Sequence, residues 1–176
     1  MGIIAKIVDR LARRNPIEYV RKLGVKVGNE CRFTGNPGWG SEPWLIQIGN
    51  HVLLSSDIKF ITHDVSTFLF RDTEEYKNVF KFALIVIHDN CFIGMRAIIL
   101  SGVEIGTNSI VGAGSLVTRS IPPGEVWGGP ARFICTTKEF ADKCKKNRLP
   151  LDMEAYKKDM KSELLRVVRQ KYSFFD

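Results

Sequence analysis

Residues 87–122 read IHDNCF, IGMRAI, ILSGVE, IGTNSI, VGAGSL, VTRSIP. The first residue of each hexad is Ile87, Ile93, Ile99, Ile105, Val111 and Val117, and the fifth is Cys91, Ala97, Val103, Ser109, Ser115 and Ile121. Ile, Val and Leu supply 44 of 176 residues. Six aliphatics in one fixed register therefore arise by chance about once in four thousand. A period of six fits neither a helix nor simple strand alternation. It fits short strands joined by tight turns, with one large and one small side chain pointing inward per strand. Three such strands make a triangular coil, and each coil buries its apolar residues against the next, so no coil is stable alone. Gly94, Gly106 and Gly112, in second place, are expected to permit the turn geometry.

The register continues upstream in fragments. Val27, Gly28 and Cys31 form one hexad; Ile48, Gly49 and Val52, then Leu54 and Ile58, then Phe60, form a second run. The intervals from Phe33 to Ile48 and from Phe60 to Ile87 are not multiples of six. Loops are therefore expected to leave the solenoid near residues 35–44 and 65–84. The second is long for a compact domain, and long loops are often functional.

Both ends read as helical. Residues 2–14 place Ile3, Ile4, Ile7, Val8 and Leu11 on one face, with Lys6, Arg10, Arg13 and Arg14 elsewhere, before Asn15-Pro16 breaks the run. This suits a helix capping the first coil, with membrane-surface contact as the other reading. Residues 137–147 and 152–172 read as two polar, basic helices separated by Leu149-Pro150. The chain is thus expected to be a single domain: an all-β solenoid over 23–134, an N-terminal helical segment over 1–22 and a C-terminal helical extension over 135–176.

The composition is that of an ordinary globular protein, 44% hydrophobic and 26% charged. There is no apolar stretch long enough to span a bilayer and the start is too polar for a signal peptide, so a cytoplasmic protein is expected. The four cysteines show no CxxC spacing, and neither a metal site nor a disulfide framework is expected. The net charge of +7 suits a polyanionic partner; no nucleic-acid motif is present, and coenzyme A, with its phosphates, is the other candidate.

The hexads, followed by IPPGEVWGGPARFI at 121–134, resemble the hexapeptide-repeat acyltransferases. GSEPWLIQIGN at 40–50 and FITHDVSTFLFRD at 60–72 are similar to the sugar and polysaccharide O-acetyltransferases within that superfamily. The resemblance implies a left-handed parallel β-helix, a homotrimer, acetyl-CoA as acetyl donor and a saccharide or small-molecule acceptor. The handedness comes from the resemblance alone, because parallel crossovers ordinarily wind to the right.

Acetyl transfer from a thioester to a hydroxyl needs a base, a donor for the tetrahedral oxyanion and a groove for the pantetheine arm. Histidine is the side chain that titrates near neutrality without strong tuning. Of the three histidines, His51 and His88 fall inside regular hexads and read as structural. His63, in ITHD at a strand end beside the long loop, is the expected general base, and Asp64 either orients its imidazole or ends the strand. The resemblance implies that the oxyanion donor is the backbone amide of Met95, and that Gly112, Ala113, Thr118, Arg119 and Arg132 contact the coenzyme. Trp39, Trp44, Phe68 and Phe70 are candidates for stacking on a sugar or for packing the loop bases. Glu42 and Asp57 are candidate partners for sugar hydroxyls.

Three competing readings follow. A carbonic-anhydrase-like metalloenzyme would need three histidines converging on zinc. A non-catalytic solenoid would serve assembly or binding. An antibiotic or serine O-acetyltransferase would share the architecture.

Overall fold

The computed structural model describes residues 15–172. The helical reading of residues 2–14 lies outside them. The described residues fall into two compact units, divided between Lys138 and Glu139, where the sequence reading took one domain.

In the first unit a short helix, α1 (Pro16–Lys22), is capped by Asn15, whose side chain accepts from the Glu18 amide. The chain then visits three parallel sheets in turn. The first sheet holds β1 (Lys26–Val27), β3 (Ile46–Ile48), β8 (Ile85–Ile87) and β11 (Glu104–Ile105). The second holds β2 (Arg32–Phe33), β4 (Leu53–Leu54), β9 (Phe92–Ile93), β12 (Ile110–Val111) and β14 (Glu125–Gly128). The third holds β5 (Lys59–Ile61), β10 (Ile98–Leu100) and β13 (Leu116–Val117), with Gly38 bridging to Lys59 at one end and Pro130 to Leu116 at the other. Ile87 pairs with Ile105, Ile93 with Val111 and Ile99 with Val117. One turn through the three sheets is therefore three hexads of chain.

The hexad register is the core. Its six first-position residues are at most 1% exposed and its six fifth-position residues at most 3%. The two inward hydroxyls are satisfied by backbone oxygens: Ser109 Oγ donates to Pro122 O and Ser115 Oγ to Gly112 O.

The glycines differ from the expectation. Gly94 and Gly106 sit at negative φ; they are required because a Cβ there would lie 2.4 Å from Ala113 N and 2.5 Å from Pro123 N in the following coil. The left-handed corners fall instead at the fourth place of the hexad, at Glu30, His51, Asp57, Asn90, Arg96 and Asn108 as well as at Gly102 and Gly114. Asn and Asp tolerate this conformation best among residues with a side chain. At one edge His51 Nδ1 meets Asn90 Oδ1 at 2.7 Å and Asn90 Nδ2 donates to Asn108 Oδ1, which ties successive corners together.

Two insertions interrupt the coil. Val27 pairs with Ile48, where three unbroken hexads would have brought it to Leu45, so the first insertion is small. It is shorter than the sequence implied, because Gly38 still bridges to the third sheet and Trp39 is still inside; the turn at Pro43–Leu45 carries the excess. Ile48 pairs with Ile87, where three hexads would have brought it only to Ser66, so the second insertion is longer than a whole coil. Its neck is an antiparallel pair, β6 (His63–Asp64) with β7 (Lys81–Phe82), and its body holds 3-10 turns at Val65–Phe70 and Glu74–Tyr76.

Past the last coil the strand β15 (Arg132–Thr136) doubles back antiparallel to β14, running past residue 134, where the solenoid was expected to end. Positive φ at Gly129 and Ala131 makes the reversal. Three helices follow: α2 (Thr137–Lys146), α3 (Met153–Lys158) and α4 (Met160–Lys171). The expected single helix over 152–172 is two, because Asp159 leaves helical geometry to cap α4 through Ser162 N. No helix among the described residues is long and apolar enough to cross a membrane.

Candidate active site

His63 begins the neck of the long insertion, directly after the third sheet. Its Nδ1 lies 2.6 Å from Glu42 Oε2. The same carboxylate oxygen accepts from Thr62 Oγ1 at 2.7 Å. Thr62 is 1% exposed, and the Glu42 and His63 side chains are 16% and 27% exposed, so the cluster is anchored inside and opens at the imidazole. The Thr62 hydroxyl, and then His63, hold the Glu42 carboxyl below its ordinary value against the opposing effect of burial. A carboxylate accepts only, so the proton of a neutral imidazole sits on Nδ1 and Nε2 carries a lone pair able to take a proton.

The short insertion positions Glu42. Gly40 has φ +72°, and a Cβ there would stand 3.2 Å from Phe60 O and 3.4 Å from Thr62 Oγ1. Glycine thus lets the chain pass closely over the end of β5. The ring of Phe82, opposite His63 across the neck, tilts against the imidazole with centroids 5.6 Å apart. Together with Ser41, Asp64, Val65, Arg71, Phe80 and Lys81 these residues line a cavity of about 190 Å³. A larger groove, about 860 Å³, runs over the second sheet, but its one histidine is His51, already bonded to Asn90 at a coil corner.

Several expected site residues stand elsewhere. Asp64 does not orient His63: it caps the following turn through Ser66 N at 3.0 Å and pairs with Lys81 Nζ at 3.1 Å. The Ser66 bonds, with Lys81, hold its carboxyl at about 2. Glu42, expected on a sugar hydroxyl, takes the orienting place instead. Trp39 is no surface for an acceptor, since it is 6% exposed and stacks on Phe60 in the core at 5.2 Å. Asp57 sits at an exposed corner with Arg96 as its neighbour at 4.0 Å. Trp44, Phe68 and Phe70 are exposed, and of these Phe70 packs on Tyr76 within the insertion.

The residues expected at the coenzyme divide between two edges of the prism. Met95, Gly112 and Ala113 stack where the second sheet passes to the third, with Gly114 N donating to Met95 O at 2.7 Å. Thr118 and Arg119 follow β13, at the far edge of the third sheet. Arg119 donates to Ala131 O at 3.0 Å and lies over the Trp127 ring. Arg132 is exposed at the start of β15. Because Lys59 pairs with Ile98, Met95 precedes the third sheet and His63 follows it. One chain holds the two a full face apart.

His88 pairs with Glu104 and His51 with Asn90, so the three histidines take three separate partners. Among the described residues no group of three or more His, Cys, Asp and Glu is arranged to hold a metal ion.

Glu42 was missed as the orienting group, although the signal was present. It precedes His63 by the same interval that separates Val27 from its partner Ile48, so it occupies the corresponding place one coil earlier.

Comparison with known proteins places the repeats in a family. Residues 85–119 match the family described as bacterial transferase hexapeptide (six repeats). Protein CapG of Staphylococcus aureus is 46% identical over 146 residues, covering 81% of this chain and 84% of CapG. The galactoside O-acetyltransferase of Escherichia coli is 34% identical over 125 residues, covering 69% of this chain and 54% of that protein. Among solved structures, a hexapeptide-repeat-containing acetyltransferase from Vibrio cholerae, complexed with acetyl coenzyme A, is 30% identical over 64% of this chain and 60% of its own, with a TM-score of 0.51. With a periodic core, a histidine at its main interruption and a relative matched over most of both lengths, the chain belongs to the hexapeptide-repeat acyltransferase family.

Proposed function

We propose that this protein is an acetyl-CoA-dependent O-acetyltransferase that acts on a hydroxyl of a sugar or polysaccharide precursor, with His63 as general base. The observation that carries it is the Glu42–His63 bond, which leaves Nε2 able to accept a proton beside a cavity. The acceptor hydroxyl gives its proton to Nε2 as its oxygen attacks the thioester carbon. The tetrahedral intermediate collapses, the C–S bond breaks, and the leaving thiolate takes the proton back from the imidazolium. The Glu42 carboxylate stabilises the imidazolium between these steps, and Thr62 keeps that carboxylate in place.

The Met95 amide is the oxyanion donor in this reading, with Gly112, Ala113, Thr118, Arg119 and Arg132 along the coenzyme. Its separation from His63 by a face of the prism favours a site completed by a second chain, hence a homotrimer of about 60 kDa from chains of 19.9 kDa. We take the winding to be left-handed and the protein to be cytoplasmic. The relatives' names, a galactoside O-acetyltransferase among them, support acetyl transfer to a saccharide.

Thiol release from acetyl-CoA, measured against glycosides, nucleotide sugars and antibiotics, tests the reading and separates it from a non-catalytic solenoid. Acceptor-dependent release by a trimer is expected; no release with any acceptor overturns it.

A further inference from the structure

The cavity beside His63 contains two cations in different situations. Lys81 has a carboxylate, Asp64 Oδ2, at 3.1 Å. Arg71 has uncharged partners. Its Nε donates to Thr67 Oγ1 at 3.1 Å and to Val79 O at 3.3 Å, its Nη2 donates to Thr67 Oγ1, and its guanidinium lies over the Phe80 ring, 4.4 Å from the centroid. Thr67 is 6% exposed, so the tether is buried. A guanidinium carries five N–H donors in a rigid fork. These bonds occupy the Nε edge and leave donors on the terminal nitrogens, the pair that binds a carboxylate or phosphate bidentately.

An aromatic strip joins that cation to the base. Phe80 stacks on Phe82 with centroids 6.2 Å apart, and Phe82 tilts against His63 at 5.6 Å. Phe80 and Phe82 remain about half exposed, so the strip presents apolar surface to the cavity. Fastening the insertion could be done by a neutral donor. A guanidinium fixed by neutral partners, with its terminal donors at the wall of a cavity, is placed to bind an anion from outside.

We propose that the site selects an anionic acceptor. Arg71 binds a carboxylate or phosphate carried by the saccharide, Phe80 and Phe82 lie against its ring, and His63 takes the proton of the hydroxyl at the other end. The inference rests on the acetyl-transfer reading and adds the charge of the substrate to it.

The test compares methyl glucoside, methyl glucuronide and glucose 1-phosphate as acceptors by thiol release, and follows their binding by calorimetry in the presence of coenzyme A. A hydrogen-bonded charge pair predicts that one of the two anions exceeds the neutral glycoside in kcat/KM by about ten- to a hundred-fold. The advantage should shrink at high salt. Which anion wins identifies the source of the charge. In Arg71→Gln the ratio of charged to neutral kcat/KM should fall toward one, and Arg71→Lys, with the charge but not the fork, should lie between. A parent enzyme indifferent to charge overturns the proposal, as does a preference that survives Arg71→Gln or Arg71→Lys unchanged. Arg71-dependent binding of the anions without turnover would sink the acetyl-transfer reading and leave the Arg71 assignment standing.

Discussion

The coils over 87–122 and the insertion between Thr62 and Leu84 are built on opposite principles. In the coils every first and fifth residue is buried, and the strands at Ile87, Ile93 and Ile99 each pair with the strand three hexads further along. In the insertion Val65, Phe68 and Leu69 are 63%, 75% and 86% exposed, and order comes from a two-residue neck, a capping aspartate and the Arg71 tether. The coils supply a rigid edge, and the insertion supplies side chains that no repeat could place there. Lengthening a surface loop costs little free energy, so the proposed chemistry falls where the sequence is free to change without disturbing the core.

The largest expected effect breaks the coil. Ile99 is fully buried between Phe60 and Val117 in the third sheet. Ile99→Asp places an unpaired carboxylate there, a change expected to cost more than about 4 kcal/mol. Thermal unfolding should show loss of the cooperative transition, and a parent-like melting temperature would disprove the register.

The next breaks the site and spares the coil. His63→Ala should lower turnover by about 10²–10⁴-fold with the melting temperature and acetyl-CoA affinity little changed. His51→Ala, at a corner bonded to Asn90, should retain most activity. Wild-type turnover in folded His63→Ala would sink the mechanism.

Two carboxylates then sharpen the comparison. Glu42→Gln keeps an acceptor for Nδ1 but removes the charge that stabilises the imidazolium, and kcat should fall by about ten- to a hundred-fold. Asp64→Asn should change kcat far less, because Asp64 serves the Ser66 cap and Lys81. The reverse order would return Asp64 to the orienting role.

The smallest effect is local and depends on pH. The Asp64 carboxyl is held at about 2, below its ordinary 3.8. A depressed folded value means that its stabilisation of the insertion is present above the ordinary value and is lost as pH falls from about 4 toward 2. The Ser66 amide resonance should follow that titration in the parent and be flat in Asp64→Asn.

What was legible depended on whether the signal was periodic. The hexad register could be read because burial at a fixed spacing repeats six times. Gly94 and Gly106 were legible as positions but not as causes, since the constraint on them is the backbone of the next coil. Trp39 looked like a loop aromatic because the break in register hides the fact that the strand segment at Gly38 still belongs to the third sheet.

The sequence by itself determined the three-sided parallel core, the two interruptions and the one histidine standing at the longer of them. These follow from side-chain size and spacing along the chain, which are one-dimensional quantities. The tertiary structure decided which carboxylate serves that histidine. Asp64 is its neighbour in the chain, but a strand turns successive side chains to opposite faces, whereas Glu42, one coil earlier, is brought to Nδ1 by the stacking of one coil on the next.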